Sequence, residues 1–271
     1  MNTLLTGNLL DKFAQISISN EDRLPEEDTQ ECKRLEQQFN ETKAFMISYI
    51  EYVESHKIKN EWLNSSSLSK NMNEELESLK VKFIRKTVYY FEKKYEVSID
   101  SENICNKYDL SVTYDDIITE IYTQMDGFSF KQVAVNQLKA KFQNNINWRS
   151  EIVVKNKKVH IPKYISWQDW SYGGKTKYSM SFDYRESLIC LFSVLSHIEC
   201  GEISVLNTFD SIAKTYNSYN FDQFERYELD HLNKVKSFKA FKNRKIEIEF
   251  ATNDLAMKFV REYCGIMEGV A

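Results

Sequence analysis

The chain is poor in the residues that interrupt regular structure: 7 Gly and 2 Pro among 271. That scarcity excludes collagen-like repeats, proline-rich linkers and the glycine-rich folds that cradle phosphates. Cysteine is scarce too. Cys32, Cys105, Cys190, Cys200 and Cys264 are odd in number and nowhere form C-x-x-C. No disulfide framework is spelled out, and a reduced, cytoplasmic protein is expected. No apolar run approaches the roughly 18 residues of a membrane span, so no membrane partner is expected. Met1–Ser19 carries Asp11 and Lys12 and lacks a basic start, so it does not read as a signal peptide.

Charge of one sign is missing as well. There are 36 Lys and Arg against 40 Asp and Glu, a net charge of -4. This excludes a uniformly basic nucleic-acid binder and equally a densely anionic nucleic-acid mimic. The charges are unevenly spread. Asn20–Glu41 holds eight acids and three bases, whereas His231–Phe250 holds six bases and two acids. Each reads first as a solvated face. Together they could attract each other within or between subunits. A homo-oligomer is expected.

Catalytic signatures are also lacking. There is no G-x-S-x-G, H-E-x-x-H or H-R-D set, and nothing pairs a nucleophile with a base. Asp169–Thr176 ends like a Walker A motif, but Asp169 stands where the first glycine belongs and a strand-like alternation follows, so Gly173-Gly174 reads as a turn. His197-Ile-Glu199-Cys200 has the H-x-E half of a zinc deaminase without the P-C-x-x-C half. Cys190 and His197 lie two turns apart on one helix, about 10 Å, too far for one metal. Core cysteines and a capping histidine are the simpler reading. Glu247 and Glu249 share a strand face without the E-x-K of a metal nuclease and read as solvated. No enzyme, cofactor or metal is expected. A degenerate metal-dependent nuclease is the second alternative.

What is present is long helical periodicity followed by short alternating runs. From Pro25, Phe39, Phe45, Met46, Tyr49, Ile50 and Val53 recur at three and four residues, giving a helix that ends near His56. Asn64–Ser67 reads as a loop. A second long helix follows from Ser69 or Asn71, then helices from Asp115 to Asp126 and from Ser129 to Asn144. After Trp148 the pattern changes. Glu151–Pro162 reads as a hairpin around Asn156, and Tyr178–Phe182 as a strand. Helices follow from Asp183 to Gly201 and from Ser204 to Thr215, then a strand over Lys245–Phe250 and a last helix from Thr252 to Cys264. The expected class is α+β, with a helical N-terminal half and a small antiparallel or mixed sheet behind it. The expected divisions are an acidic helical extension (1–68), a helical segment (69–147) and an α+β domain (148–271).

The most unusual stretch is Lys155–Tyr178, with six Lys, five aromatics and Asp169 as its one acid. Flat rings with interleaved cations suit a protein hot spot or a single-stranded nucleic acid. The competing reading packs the rings into the core. Within it, Trp167, Trp170 and Tyr172, with Lys175 and Lys177, are the expected partner-binding residues. Polar residues interleave at no regular period, so an exposed loop is expected there.

Phe241-Lys242-Asn243-Arg244-Lys245-Ile246-Glu247-Ile248-Glu249-Phe250, then Asp254-Leu255 and Tyr263-Cys264-Gly265, resembles a phage and mobile-element domain family of unknown function. That family has a strand of the type F-K-N-G-N-L-H-L-x-F followed by D-L and a helix closing in Y-Y-G. Tyr184–Leu195 is similar to its preceding helix. Phe241, Lys242, Asn243 and Phe250 keep the motif, while Arg244 replaces its Gly and Glu247 its His. The resemblance covers about 90 residues. It implies kinship with phage anti-defence proteins of the kind that inhibit the Gabija nuclease complex, and hence a non-catalytic inhibitor of a host defence complex. A nucleic-acid-binding accessory protein is the alternative.

Overall fold

The computed structural model describes residues 24–57, 64–172, 174–218, 221 and 224–266. The reading of Met1–Ser19 lies outside them. The chain divides into two compact units, 1–130 and 131–271, at the start of a helix rather than at residues 68 and 147. The fold is α+β, helical in its first half. Among the described residues no helix is long and apolar enough to cross a membrane.

The first unit is built on two helices of 31 residues, α1 (Glu26–His56) and α2 (Ser65–Tyr95), each about 46 Å long. They run antiparallel. Asp28 at the start of α1 meets Tyr90 and Lys94 near the end of α2, and Phe39 stacks on Phe83 at 4.6 Å between ring centres. Asn64–Ser67 is the start of α2 and not a loop. The Asn64 side chain accepts from the Ser66 amide at 3.0 Å, so its polar run serves as a cap. The short helix α3 (Ser101–Lys107) was not signalled by periodicity. Next comes α4 (Tyr114–Gln124), started by a capping box in which the Thr113 and Asp116 side chains each accept the other's backbone amide.

The acidic stretch 20–41 is not a solvated face throughout. Asp28 is fully buried and accepts from Tyr90 Oη at 2.6 Å, Lys94 Nζ at 2.5 Å and Tyr95 Oη. Burial pushes its pKa up, but Lys94 and the two phenols outweigh that and hold it below its ordinary value.

The second unit opens with α5 (Phe130–Asn144), from Lys131 onward. Its sheet has the order β1-β2-β7-β6-β5, all antiparallel: β1 (Val153–Lys155), β2 (Lys158–Ile161), β7 (Ile246–Phe250), β6 (Val235–Ala240) and β5 (Arg226–Glu228). The expected hairpin at Asn156 is there, with Asn156 and Lys157 both at positive φ, as a tight two-residue turn requires. A separate hairpin pairs β3 (Trp167–Tyr172) with β4 (Lys175–Met180). Helices α6 (Arg185–Cys200), α7 (Asn207–Asn217) and α8 (Asn253–Phe259) complete the unit. Helical side chains cover one sheet face, with Phe192 against Phe238 and Phe259 against Phe250.

Cysteine burial is uneven. Cys190 and Cys264 are in the core, and burial raises the Cys190 thiol to about 11, which keeps it protonated and inert. Cys200, read from sequence as a core residue, is instead exposed at the end of α6. Glu199 beside it accepts the amides of Asn233, Lys234 and Val235 at 2.6, 2.8 and 3.0 Å. Its task is to fasten α6 to the start of β6.

Candidate binding surface

The five residues singled out from sequence lie on the β3–β4 hairpin, in strands and not in a loop. Aromatic residues occupy both parities of β3, which hid the two-residue period. The pleat separates them. Trp167 pairs with Met180 and Asp169 with Tyr178, whereas Trp170 pairs with Lys177 and Tyr172 with Lys175. On the Trp167 side, Tyr178 and Met180 are buried. Trp167 itself packs edge-on to Phe221 and Phe224 at 5.2 and 5.1 Å and tilts against Tyr216 at 5.3 Å. Its Nε1 donates to Phe241 O at 2.9 Å. Trp167 is therefore an anchor of the hairpin and is withdrawn from the contact set. On the other side Trp170 is 37% exposed, opposite Lys177, and Lys175 is exposed. Gly174 closes the turn at φ 77°.

The motif residues Phe241, Lys242 and Asn243 form the β6–β7 turn beside this hairpin. Asn243 Oδ1 accepts the Lys245 amide at 3.4 Å. Lys242 Nζ lies 5.2 Å above the Tyr178 ring, so a further cation joins the hairpin from elsewhere in the sequence. The basic run 231–250 was its signal. Phe250 is fully buried and structural. Arg244 sits at φ 68°, where a side chain costs about 1 kcal/mol and glycine costs almost nothing. The motif's glycine thus answers a backbone need. Arg244→Gly is expected to raise stability by about 0.5–1 kcal/mol in urea unfolding, with an unchanged m-value.

The other sheet face carries a charge network, and Glu247 is buried in it rather than solvated. Glu247 accepts from Arg226 at 2.5 Å, with Lys158 at 3.6 Å and His160 Nδ1 at 3.3 Å, the last too poorly aligned for a hydrogen bond. Arg226 also donates to Ser237 Oγ at 2.8 Å, and Lys158 approaches Glu249 at 3.2 Å. Burial pushes the Glu247 pKa up, but Arg226, then His160 and Lys158, hold it below its ordinary 4.5. The acids are engaged by cations, so the arrangement ties β5, β6, β7 and β2 together. Among the described residues no three or more His, Cys, Asp or Glu side chains converge as metal ligands. His197, on α6, instead meets Tyr263 Oη through Nδ1 at 2.5 Å.

Two histidines give this unit a pH signature. Burial lowers the pKa of His160 and of His197 below 6.5, against the raising effect of Glu247 on the first and Glu262 on the second. The unfolded chain therefore binds more protons than the folded chain just below pH 6.5, and stability falls as pH drops through that window. Glu247, with its depressed pKa, adds a loss that begins near pH 4.5. Thermal melts from pH 8 to pH 4 should show a flat top and a decline from about pH 6.5. A melting temperature constant down to pH 5 would contradict the burial of both rings.

Compared with family models, curated proteins and solved structures, the chain matches none.

Proposed function

We propose that the protein is a non-catalytic binding protein that engages a protein partner through the outer side of the β3–β4 hairpin. The observation that carries this is Trp170, held at the surface opposite Lys177 on a hairpin whose other side is locked into the core by Trp167. A strand-borne, partly exposed tryptophan beside Lys175 and Lys177 is the composition of an interface hot spot, and it calls for an apolar pocket rimmed by carboxylates. The resemblance of the Phe241–Phe250 motif to phage and mobile-element domains makes a bacterial anti-phage defence complex the proposed partner. The protein would block that complex by occupying its surface, in the cytoplasm of the host.

Lysines beside an aromatic ring also support a second reading, a single-stranded nucleic acid stacked on Trp170. Titration of a labelled oligothymidine at about 50 and about 200 mM salt separates the two, because phosphate contacts weaken steeply with salt. The protein-binding reading predicts no saturable binding at either salt. Saturable binding with a steep salt slope, lost in Trp170→Ala, would overturn it in favour of nucleic acid.

A further inference from the structure

An open groove of about 800 Å3 lies along α2 with one wall from α1, where Leu35 and Phe39 line it beside Phe83 and Val88. The solvent side of α2 carries Asn71, Glu74, Ser78, Lys82, Arg85 and Tyr89 at spacings of three and four, one stripe of a helix; the last four line the groove, and the first two continue the stripe beyond it. Glu75 flanks the stripe on the same edge as Lys82, from which it is 3.8 Å away. Tyr89 is 61% exposed, and a tyrosine that far out of the core suits a contact.

The charges on this stripe have an order. Acids, Glu74 and Glu75, precede Ser78, and bases, Lys82 and Arg85, follow it. Among the described residues their ion-pair partners are loose and exposed: Lys70 for Glu74 at 3.9 Å, Glu102 for Arg85 at 3.5 Å, and Glu75 and Lys82 for each other. A helix with acids before its midpoint and bases after it is complementary to itself when turned end over end.

We propose that α2 is the contact of a two-fold symmetric homodimer, with a second copy of this chain lying antiparallel over the groove. The two-fold axis crosses α2 beside Leu79. Glu74 then stands level with Arg85 of the second copy and Glu75 with Lys82, each on the same edge of the seam. Asn71 stands level with Tyr89. Ser78, small and half-buried, falls at the centre, where the two helices approach most closely. The seam has few large apolar residues, so the dimer is weak, with a Kd on the order of 50 µM. This proposal uses the first unit alone and is independent of the hairpin.

Two charge-reversed chains test it. Lys82→Glu with Arg85→Glu makes the seam wholly acidic, and Glu74→Lys with Glu75→Lys makes it wholly basic. Sedimentation equilibrium from about 10 to about 500 µM should show a monomer–dimer equilibrium for the natural chain, since this range brackets the expected Kd. Each variant alone should be monomeric with unchanged circular dichroism. An equimolar mixture of the two should form a heterodimer tighter than the natural homodimer by about tenfold or more. A natural chain that stays monomeric throughout overturns the proposal. So do variants that dimerise alone as well as the natural chain does, or a mixture no heavier than its components.

Discussion

Trp167→Ala is expected to destabilise the second unit by about 3 kcal/mol, whereas Trp170→Ala should change stability by less than about 1 kcal/mol. The two residues are three apart in sequence and were equivalent by composition. Their environments differ. Trp167 touches Tyr216, Phe221 and Phe224 and donates to Phe241 O, so its removal empties a ring-lined space and leaves that carbonyl short of a donor. It is only partly buried, which keeps the cost at the low end for a tryptophan. Trp170 stands across from Lys177 with more than a third of its surface in water. Its removal should leave the fold intact and lower partner affinity by about 30- to 1,000-fold, the usual cost of truncating a central aromatic anchor. Urea unfolding of both variants checks the first half. Equal destabilisation would mean that the pleat does not separate them.

Asp28→Ala should cost about 3 kcal/mol in the first unit, although Asp28 lies in the most acidic stretch of the chain. Its carboxylate is fully buried and gathers Tyr90, Lys94 and Tyr95 from the end of α2. Without it two phenols lose their acceptor and Lys94 loses its nearest countercharge. Lys94 reaches solvent and retains Glu27 at 3.0 Å, which limits the penalty. Asp28→Asn keeps an acceptor and should cost less, about 1–2 kcal/mol. Because the native pKa of Asp28 is depressed, its contribution is complete above its ordinary 3.8 and is lost as pH falls through the lower native value. Above pH 5 the difference in stability between the natural chain and Asp28→Asn should therefore be constant, and it should shrink in stronger acid. A difference that grows on acidification would contradict the burial of an ionised carboxylate.

The long helices were legible because their apolar residues recur over many turns, and strand β7 was legible because Ile246, Ile248 and Phe250 alternate cleanly. The class of the fold followed from the change of period after Trp148. Strands β5 and β6 were missed for a physical reason. Val235, Phe238 and Ala240 are buried, but a register shift between Val235 and Ser237 breaks their alternation, and Arg226–Glu228 is three residues of half-exposed edge. Asn64–Ser67 was misread because the residues that cap a helix are also those that make a loop. Of the surface, Lys175 and Lys177 were legible as cations interleaved with aromatics, but they were expected in a loop and lie in strand β4. The inward turn of Trp167 depends on Phe221, Phe224 and Tyr216, which come from later in the chain, and no local pattern announces them. Lys242 joined the hairpin for the same reason. Glu247 looked solvated because its neutralising partners, Arg226, Lys158 and His160, arrive from other strands.

The central claim is that the outer side of the β3–β4 hairpin binds a protein. Its most direct measurement is affinity capture from nuclease-treated bacterial extract, with the natural chain and a Trp170→Ala, Lys175→Glu variant side by side. The variant must first be shown to melt like the natural chain. The account predicts one protein complex retained stoichiometrically by the natural chain, insensitive to nuclease treatment, and absent from the variant. The same complex retained equally by both chains, or released by the nuclease, would contradict it.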